Sequence, residues 1–482
     1  MHVNSSQSLD PLKIKRYLIV SLLFLASVFI ANYTIRSGNI IYMMGFIVLP
    51  FLIMLISKPQ FCFISAVVLA PANIGVYREF DAAFLLRLLV CATFLIAILV
   101  GHKMWRGETL KEKKPLLLLI FVVLVLMYVR GAGLRILGSS TWGGTVYIHV
   151  LSAIFFFFAV NGLSLKTKVI DRLVKGLIVG GILGGVFTFF GWSAQQSAGE
   201  YVAYRLMWLR PLSGSLLALS FFVRSARWKW VSNVLIIAAL VAIAATGFRS
   251  LLVGVIMTLG IYLFFKSKNR ILFLISSFIA GLMMWGTIVA VSPAMPKNMQ
   301  RAISFVPGAT VDQKTALDAT HSIDWRLEIW EYALARASDY LIIGRGGTFD
   351  VMETVGQLGI ADPYGTPWQA FLTHTYHSGP IEMLLDYGIP GLLAVFSLHV
   401  LIFKRLWGYS IKLAPIDTAS SRYASYLCAS QLWLAVSFYI AFGYMVGFAN
   451  WLVQSAVVMV ITENILNKQN PDQILATKAN EN

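Results

Sequence analysis

Apolar segments recur along the chain from Tyr17 to Ile465, with short polar stretches between them. Most have about 18–25 residues, enough to cross a hydrocarbon core as a helix. In lipid, a helix is the conformation that bonds every backbone amide within its own segment. The pattern therefore predicts an all-α polytopic membrane protein with about fourteen transmembrane helices, in a range of roughly 12–14. The predicted spans are residues 17–35, 39–57, 60–77, 82–101, 115–130, 142–163, 174–192, 210–223, 230–247, 250–265, 271–291, 379–403, 423–443 and 447–465.

These segments divide the chain into four parts. Residues 1–291 hold an N-terminal transmembrane bundle of about eleven helices, and residues 292–378 form one large loop. Residues 379–466 hold the C-terminal transmembrane helices, and residues 467–482 form a polar tail. Because a long loop within a compact fold usually has a function, the loop is expected to carry most of the chemistry.

The composition is typical of a membrane protein, with 58% hydrophobic and 13% charged residues and a mean hydropathy of +0.74. Soluble domains have about 45–50% apolar and about 25% charged residues, so that class is excluded.

No small-residue cleavage signal follows Tyr17–Ile35, which predicts an anchor helix rather than a removed signal peptide. The three cysteines, Cys62, Cys91 and Cys428, lie within apolar segments. Their position favours small core residues over a disulfide framework or a metal site.

The net charge of +17 raises the question of a nucleic-acid partner. Lys and Arg, however, lie mostly in every second short loop between the predicted helices. The positive-inside rule places these loops on the cytoplasmic side of the membrane. This distribution argues against nucleic acid as a partner. It predicts that the N- and C-termini are cytoplasmic and that the loop 292–378 is extracytoplasmic.

An amphipathic helix is predicted within the loop. Ser322 or Asp324 can cap it, and its apolar residues up to Leu334 fall on one face. The helix is expected to stop near residues 339–344, and the sequence Gly344-Arg-Gly-Gly347 follows directly.

Two arginines outside the apolar segments could bind a phosphate through their forked guanidinium donors. Arg249 lies in a tight turn between two predicted spans, and its structural alternative is an interfacial side chain that reaches lipid headgroups. Arg326 lies on the loop helix, where a solvated face or stacking on Trp330 is the alternative. Arg345, within the glycine cluster, could join a phosphate cradle, although the glycines also fit a simple helix stop.

Two histidines lie where the loop meets the next predicted span. His374 and His377 could transfer protons near neutral pH, because an unperturbed imidazole has a pKa of about 6.5. A zinc site is not predicted, since no third ligand stands at usable spacing. Arg87 and His149 lie within apolar segments, where ionisable residues are expensive and are therefore functional candidates.

Three motifs together resemble a known family. His377-Ser378, nine residues and then Gly388-Ile-Pro-Gly391 resemble a ligase signature of His followed by Asn, Ser or Gln, nine residues and Gly-x-x-Gly. The segments upstream resemble those of the O-antigen ligase/polymerase superfamily and stand in the same order. They are Thr246-Gly-Phe-Arg-Ser250, Arg326-Leu-Glu-Ile-Trp330 and Leu341-Ile-Ile-Gly344-Arg-Gly346. The resemblance covers residues 231–403. Ser378 replaces the more usual Asn, and Asp339–Ile343 stands where the family often has a His-Pro pair.

The resemblance implies a bacterial inner-membrane glycosyltransferase with a fold similar to the C-type glycosyltransferases. It implies an undecaprenyl-diphosphate-linked oligosaccharide as donor and an acceptor glycan or glycolipid, with membrane lipids and other polysaccharide assembly proteins as further partners. No cofactor or metal is expected, and direct displacement would invert the anomeric centre. Arg249 and Arg326 would bind the diphosphate, and His377 would orient or deprotonate the acceptor hydroxyl. Gly388 and Gly391 would be structural.

Alternatives to this interpretation remain open at the level of the sequence. Polymerisation of surface polysaccharide or exopolysaccharide units is favoured slightly by the span count, and an O-antigen ligase acting on lipid A-core is the alternative. A lipid-linked oligosaccharide flippase would also have many spans. Such a transporter needs no long structured outer loop, and the two halves of the chain show no matching pair of broken helices.

Overall fold

The computed structural model describes residues 63, 67, 75–77, 80–81, 84, 87–88, 90–91, 111–133, 143–161, 167–195, 209–224, 228–246, 248–348, 366–440 and 442–469. This part of the chain is helical apart from one small hairpin. The helices are α1 Lys113–Val129, α2 Thr145–Asn161, α3 Thr167–Gln195, α4 Leu209–Val223, α5 Lys229–Ala245, α6 Arg249–Lys266, α7 Arg270–Val291, α8 Lys297–Ile303, α9 Gln313–Leu334, α10 Pro367–Leu372, α11 Gly379–Leu413, α12 Ala419–Ile440 and α13 Met445–Gln469. Short 3₁₀ helices form at Ser292–Ala294 and Ala337–Tyr340.

The protein is an integral membrane protein by the length and apolarity of its helices. Among the residues that the structure describes, four helices are long and apolar enough to cross a membrane: Arg249–Lys266, Arg270–Ala294, Gly379–Leu413 and Met445–Asn467. Thr145–Asn161, Leu209–Val223 and Lys229–Ala245 are shorter apolar helices. From residue 115 onward, each predicted span falls on one helix of the structure. The first two predicted spans lie outside the described residues, so the number of about fourteen stays a prediction.

One predicted span is wrong at its end. Residues 60–77 were expected to be helical throughout, but Gly75–Tyr77 form the strand β1, which pairs antiparallel with β2 at Phe80–Asp81. Glycine lowers helix stability, whereas the aromatic and β-branched residues around it favour a pleated strand. The described fold is therefore not purely α-helical.

The long loop has more helix than its apolar pattern predicts. α9 begins at Gln313 with Asp312 as N-cap, and not at Ser322 or Asp324. The extra turns contain good helix formers such as Ala316 and Leu317, so intrinsic propensity extends the helix beyond its amphipathic part. α10 is a further helix with a capping box, in which Thr366 accepts from the Gln369 N–H and the Gln369 side chain accepts from the Thr366 N–H.

The long helix α11 is central to the described bundle. It packs against α1, α12 and α13, and α12 packs in turn against α4 and α6. Its buried face repeats every three or four residues, as in Ala394, Leu398, Ile402 and Leu406. α7, by contrast, has no buried residue, so its apolar side chains are available to lipid.

A second, smaller core lies between the loop and the start of α11. Its buried members are Ile329, Ala333, Ala370, Phe371, Tyr376 and Leu385. Trp330 donates from its indole N–H to the Tyr376 carbonyl at 2.7 Å. This core fixes α9 and α10 against the segment that contains both histidines.

Candidate functional site

α11 is broken near its N-terminal end, at Gly388. The residue has φ 67° and ψ −177°, which leaves the backbone amides and carbonyls on either side without their helical partners. The segment 341–346 supplies the missing partners. Arg345 and Gly346 donate their N–H groups to the Leu385 and Asp386 carbonyls at 2.7 and 2.9 Å, and Ile389 donates to the Leu341 carbonyl at 2.8 Å.

Two glycines make this close approach feasible. A Cβ on Gly344 would lie 2.1 Å from the Asp386 carbonyl oxygen, inside van der Waals contact. A Cβ on Gly388 would lie 2.9 Å from the Ile342 carbonyl oxygen, in a backbone conformation that L-residues rarely adopt. Gly391 is also tight, because its Cβ would meet the Tyr387 side chain at 2.3 Å. The glycine cluster therefore serves to join the loop to the broken helix.

The break places an acidic residue beside one of the two histidines. His374 Nδ1 lies 2.8 Å from Asp386 Oδ2, and both side chains are largely buried. Tyr376 donates its hydroxyl to Asp386 Oδ1 at 3.3 Å. A carboxylate in this position orients an imidazole and selects its tautomer.

A cleft of about 350 Å³ opens beside this pair. It is lined by Gly143, Thr145, Val146, His149, Gly347, Thr373, His374, Glu382, Asp386, Tyr387 and Val446. The residues come from α2, α11, α13 and three non-helical segments, so tertiary packing assembles the cleft from distant parts of the chain.

Two buried polar atoms in the cleft lack a partner among the described residues. Glu382 accepts a hydrogen bond from the Met445 N–H through Oε1 at 2.8 Å, but its Oε2 is unpartnered. The Tyr387 hydroxyl is also unpartnered. The two residues are 7% and 2% exposed. Buried polar groups in native proteins are usually satisfied, which makes this pair notable.

Arg345 is held by contacts within the protein. Its guanidinium donates to the carbonyls of Phe371 and Leu372 and to the Tyr376 hydroxyl, and it stacks on the Phe371 ring at 4.1 Å. These contacts hold the segment that follows α10 in place. The phosphate role considered for Arg345 from the sequence stays a prediction.

His377 has a different environment from His374. Its ring lies between Trp325 and Phe442, with centroid distances of 5.4 and 5.1 Å. Burial, and then the positive charge of nearby Arg326, lower the pKa of His377 to about 4. The imidazole is therefore neutral at pH 7, and it is not among the residues that line the cleft.

The two candidate phosphate-binding arginines lie on elements joined by α8, which packs against α6, α5 and α9. Arg326, on α9, is half-buried; burial lowers its pKa, and its Nε has no hydrogen-bond partner within the described chain. Arg249 is the first residue of α6, and its Nη1 lies 3.5 Å from the Ser304 hydroxyl.

Residues 234–396 match the family described as O-Antigen ligase. This region belongs to the O-antigen ligase/polymerase superfamily. The match lies inside the region that resembles the superfamily in sequence, and it confirms that resemblance. No curated protein matches the chain significantly.

The ligase domain contains Arg249, Arg326, Arg345, His374 and His377, together with the break in α11. It is a domain of the glycosyl-transferring ligase/polymerase type. The cleft extends beyond the domain, because Thr145, His149 and Val446 lie outside the matched residues.

The two intramembrane candidates differ in position. His149 lines the cleft and packs on Phe84 with a centroid distance of 4.3 Å. Arg87 donates to the Asn450 side chain at 2.8 Å and does not line the cleft. Arg87 therefore connects its helical turn to α13.

Three residues of the ligase domain were not singled out from the sequence: Glu382, Asp386 and Tyr387. A signal was present, because Glu382 and Asp386 stand four residues apart in an apolar predicted span. Residues at this spacing share a helix face, and intramembrane acids are functional candidates. The tyrosine gave no such signal, since aromatic residues are common in membrane helices.

Proposed function

We propose that the protein transfers a glycan from undecaprenyl diphosphate to a sugar hydroxyl on the outer face of the bacterial inner membrane, and that it polymerises surface polysaccharide or exopolysaccharide units. The observation that carries the proposal is the position of Arg326 within the ligase domain. Its buried Nε is without a partner in the described chain, and its charge acts on His377. A buried guanidinium donor of this kind is suited to an anionic ligand.

Arg326 and Arg249 would bind the donor diphosphate. Displacing a diphosphate from an anomeric carbon increases the negative charge on the leaving group, and fixed donors that meet this charge lower the barrier. Arg249 begins α6, where the free backbone amides and the helix dipole also favour an anion. Two such arginines would need no metal ion.

His377 would act on the acceptor. The acceptor oxygen forms a new bond to the anomeric carbon, the bond from that carbon to the diphosphate breaks, and the hydroxyl proton passes to a ring nitrogen of His377. The neutral imidazole is the form that accepts a proton. A diphosphate on Arg326 would offset the charge that lowers the pKa of His377, so donor binding would make the imidazole a stronger base. Attack opposite the leaving group inverts the anomeric centre.

Purified protein in lipid nanodiscs, given an undecaprenyl-diphosphate-linked oligosaccharide, tests the proposal. We expect longer lipid-linked glycans, and Arg326→Ala should abolish both donor binding and transfer. Arg326→Lys should restore little, because a point charge lacks the forked donor geometry. Lys314→Ala, which removes an exposed cation from the same helix, is the matched control and should remain active.

The other outcomes are equally informative. Transfer to lipid A-core, without longer lipid-linked glycans, would identify a ligase in place of a polymerase. Movement of the donor across the bilayer without any transfer would identify a transporter and contradict the proposal. Full activity of Arg326→Ala would remove the diphosphate role.

A further inference from the structure

We propose that the cleft beside the broken helix α11 binds one sugar residue of the acceptor glycan, and that Glu382 and Tyr387 select a neutral or amino sugar over an acidic one. This inference rests on the proposed function, because that function supplies the acceptor. It adds a binding site and a sugar class that the family match does not give.

The first argument is the pair of unpartnered polar atoms. Glu382 Oε2 and the Tyr387 hydroxyl line the cleft, are buried, and have no hydrogen-bond partner in the described part of the chain. Glu382 is held in place from its other oxygen by the Met445 N–H. A buried polar group without a partner costs free energy, and a ligand that provides the missing bond recovers it. The site therefore offers one acceptor and one donor–acceptor group, preformed.

The second argument is the chemistry of the remaining lining. Thr145, Thr373 and His149 also contribute polar groups, while Val146 and Val446 contribute apolar surface. A pyranose ring needs this mixture, because its hydroxyls bind polar side chains and its C–H faces pack on apolar ones. The volume of about 350 Å³ is near the lower end of the range of about 300–1,000 Å³ for small-molecule sites. It suits one sugar better than a long chain.

The third argument is the sign of the charge. Glu382 and Asp386 both line the cleft, and its lining within the described part of the chain includes no Lys or Arg. Asp386 has His374 as a close partner, whereas no ion pair within the described residues involves Glu382. A sugar carboxylate would therefore place a third acidic group beside Glu382 and Asp386, with no Lys or Arg among the described lining residues to offset it, in a site of low dielectric. Hydroxyl and ammonium groups would instead donate to Glu382.

His374 has a positioning role in this site. Asp386 orients its ring at 2.8 Å, and Arg345 fixes Tyr376, which in turn donates to Asp386. This chain of contacts couples the wall of the cleft to the segment that continues to His377. An acceptor sugar in the cleft would thus lie against His374, three residues before His377, which is proposed to act on the acceptor hydroxyl.

Saturation-transfer difference NMR on the full-length protein in nanodiscs tests the inference without requiring transfer. The probes are the methyl glycosides of glucose, galactose, mannose, glucosamine and glucuronic acid. We expect saturation of at least one neutral or amino glycoside and none of the glucuronide. Tyr387→Phe should weaken the binding of the neutral glycoside by roughly three- to tenfold, the effect of one lost hydrogen bond. Asp417→Asn, an exposed acid remote from the cleft, is the control and should bind like the wild type.

A gain of binding provides the decisive variant. Glu382→Gln keeps the side-chain volume and an oxygen that can accept from Met445, but it replaces the acid with an amide whose N–H can donate to a carboxylate, so it should admit the glucuronide. A gained ligand cannot result from misfolding. Binding of none of the glycosides, equal binding of the glucuronide by the wild type, or failure of Glu382→Gln to bind it would each overturn the inference.

The two proposals fail differently. If transfer occurs but the glycosides bind without selectivity, the proposal of the acceptor cleft fails and the proposed function stands. If the glycosides bind selectively but no transfer occurs, the proposed function fails and the sugar-binding cleft stands.

Discussion

His374 and Asp386 are twelve positions apart in the chain, yet the imidazole Nδ1 lies 2.8 Å from the carboxylate Oδ2. The contact depends on the break at Gly388, because segment 341–346 bonds to the freed Asp386 carbonyl and its Arg345 also holds the Phe371 and Leu372 carbonyls, just before His374. A helix that continued without a break would leave no free carbonyls there for Arg345 and Gly346. The break is therefore the feature on which the geometry of the site depends.

Gly388→Ala should destabilise the protein and reduce its activity. Alanine at φ 67° costs about 1–2 kcal/mol, and its Cβ would press on the Ile342 carbonyl. The control is Gly408→Ala on the same helix, where an added Cβ meets nothing within 4 Å. Thermal unfolding of both variants in detergent measures the difference. Equal midpoints for the two would contradict the account of the break.

His377→Ala should lower turnover by roughly 10²–10⁴-fold, the usual contribution of a positioned acid–base group. Donor affinity should survive, because the arginines bind the diphosphate. His374→Ala should cost less in turnover, and it should weaken acceptor binding through Asp386. Donor affinity and turnover are measured separately on purified protein. Normal turnover in His377→Ala would remove this residue from the chemistry, and lost donor binding would assign it to the diphosphate site.

The ionisation of His377 should depend on Arg326. Since the pKa of the imidazole is lowered to about 4, its reaction with diethyl pyrocarbonate, which modifies the neutral ring, should stay constant from pH 8 down to about pH 5. In Arg326→Ala the midpoint should rise towards 6.5, because one cause of the lowering is gone. Mass spectrometry of the modified peptide follows the reaction, with Lys314→Ala as control. An unchanged midpoint in Arg326→Ala would show that the two side chains do not interact.

Arg345→Ala should loosen the segment between α10 and α11. The Leu372 carbonyl would lose its donor, at about 1–3 kcal/mol for a group left buried and unpaired, and the Phe371 carbonyl would keep only the longer bonds from the His374 N–H and the Tyr376 hydroxyl. Hydrogen exchange should rise in Thr373–His377. Arg336→Ala provides the comparison, because the Arg336 guanidinium donates to the Tyr332 carbonyl and stacks on the Tyr332 ring, four residues earlier in the chain. Similar exchange in both variants would refute the positioning role.

The orientation of the chain can be tested with fused reporters. The distribution of Lys and Arg predicts that residues 292–378 lie outside the cytoplasm. A reporter active only outside the cytoplasm should therefore be active when fused near Gly308 and silent when fused near Lys113. The reverse pattern would place the loop on the side away from the donor.

The sequence by itself determined the membrane class, the positions of the long apolar helices from residue 115 onward and the resemblance to the superfamily. Apolar length and the motif from His377 to Gly391 are local properties, so they can be read without knowing which segments meet. The predictions of a helix through Gly75–Tyr77 and of a later start for α9 were wrong. At both places the local conformation follows propensity and contacts that a hydropathy pattern does not record.

Only the tertiary structure decided which residues meet. Three relationships join parts of the chain that are separate in sequence. His374 contacts Asp386, Arg345 holds the segment after α10 through the Leu372 carbonyl, and His149 lines the cleft. The roles of Gly344 and Gly388 likewise depend on the tertiary structure. Their local pattern fits a helix stop or a bend, whereas the close approach of two backbones that requires them exists only after the loop has packed on α11.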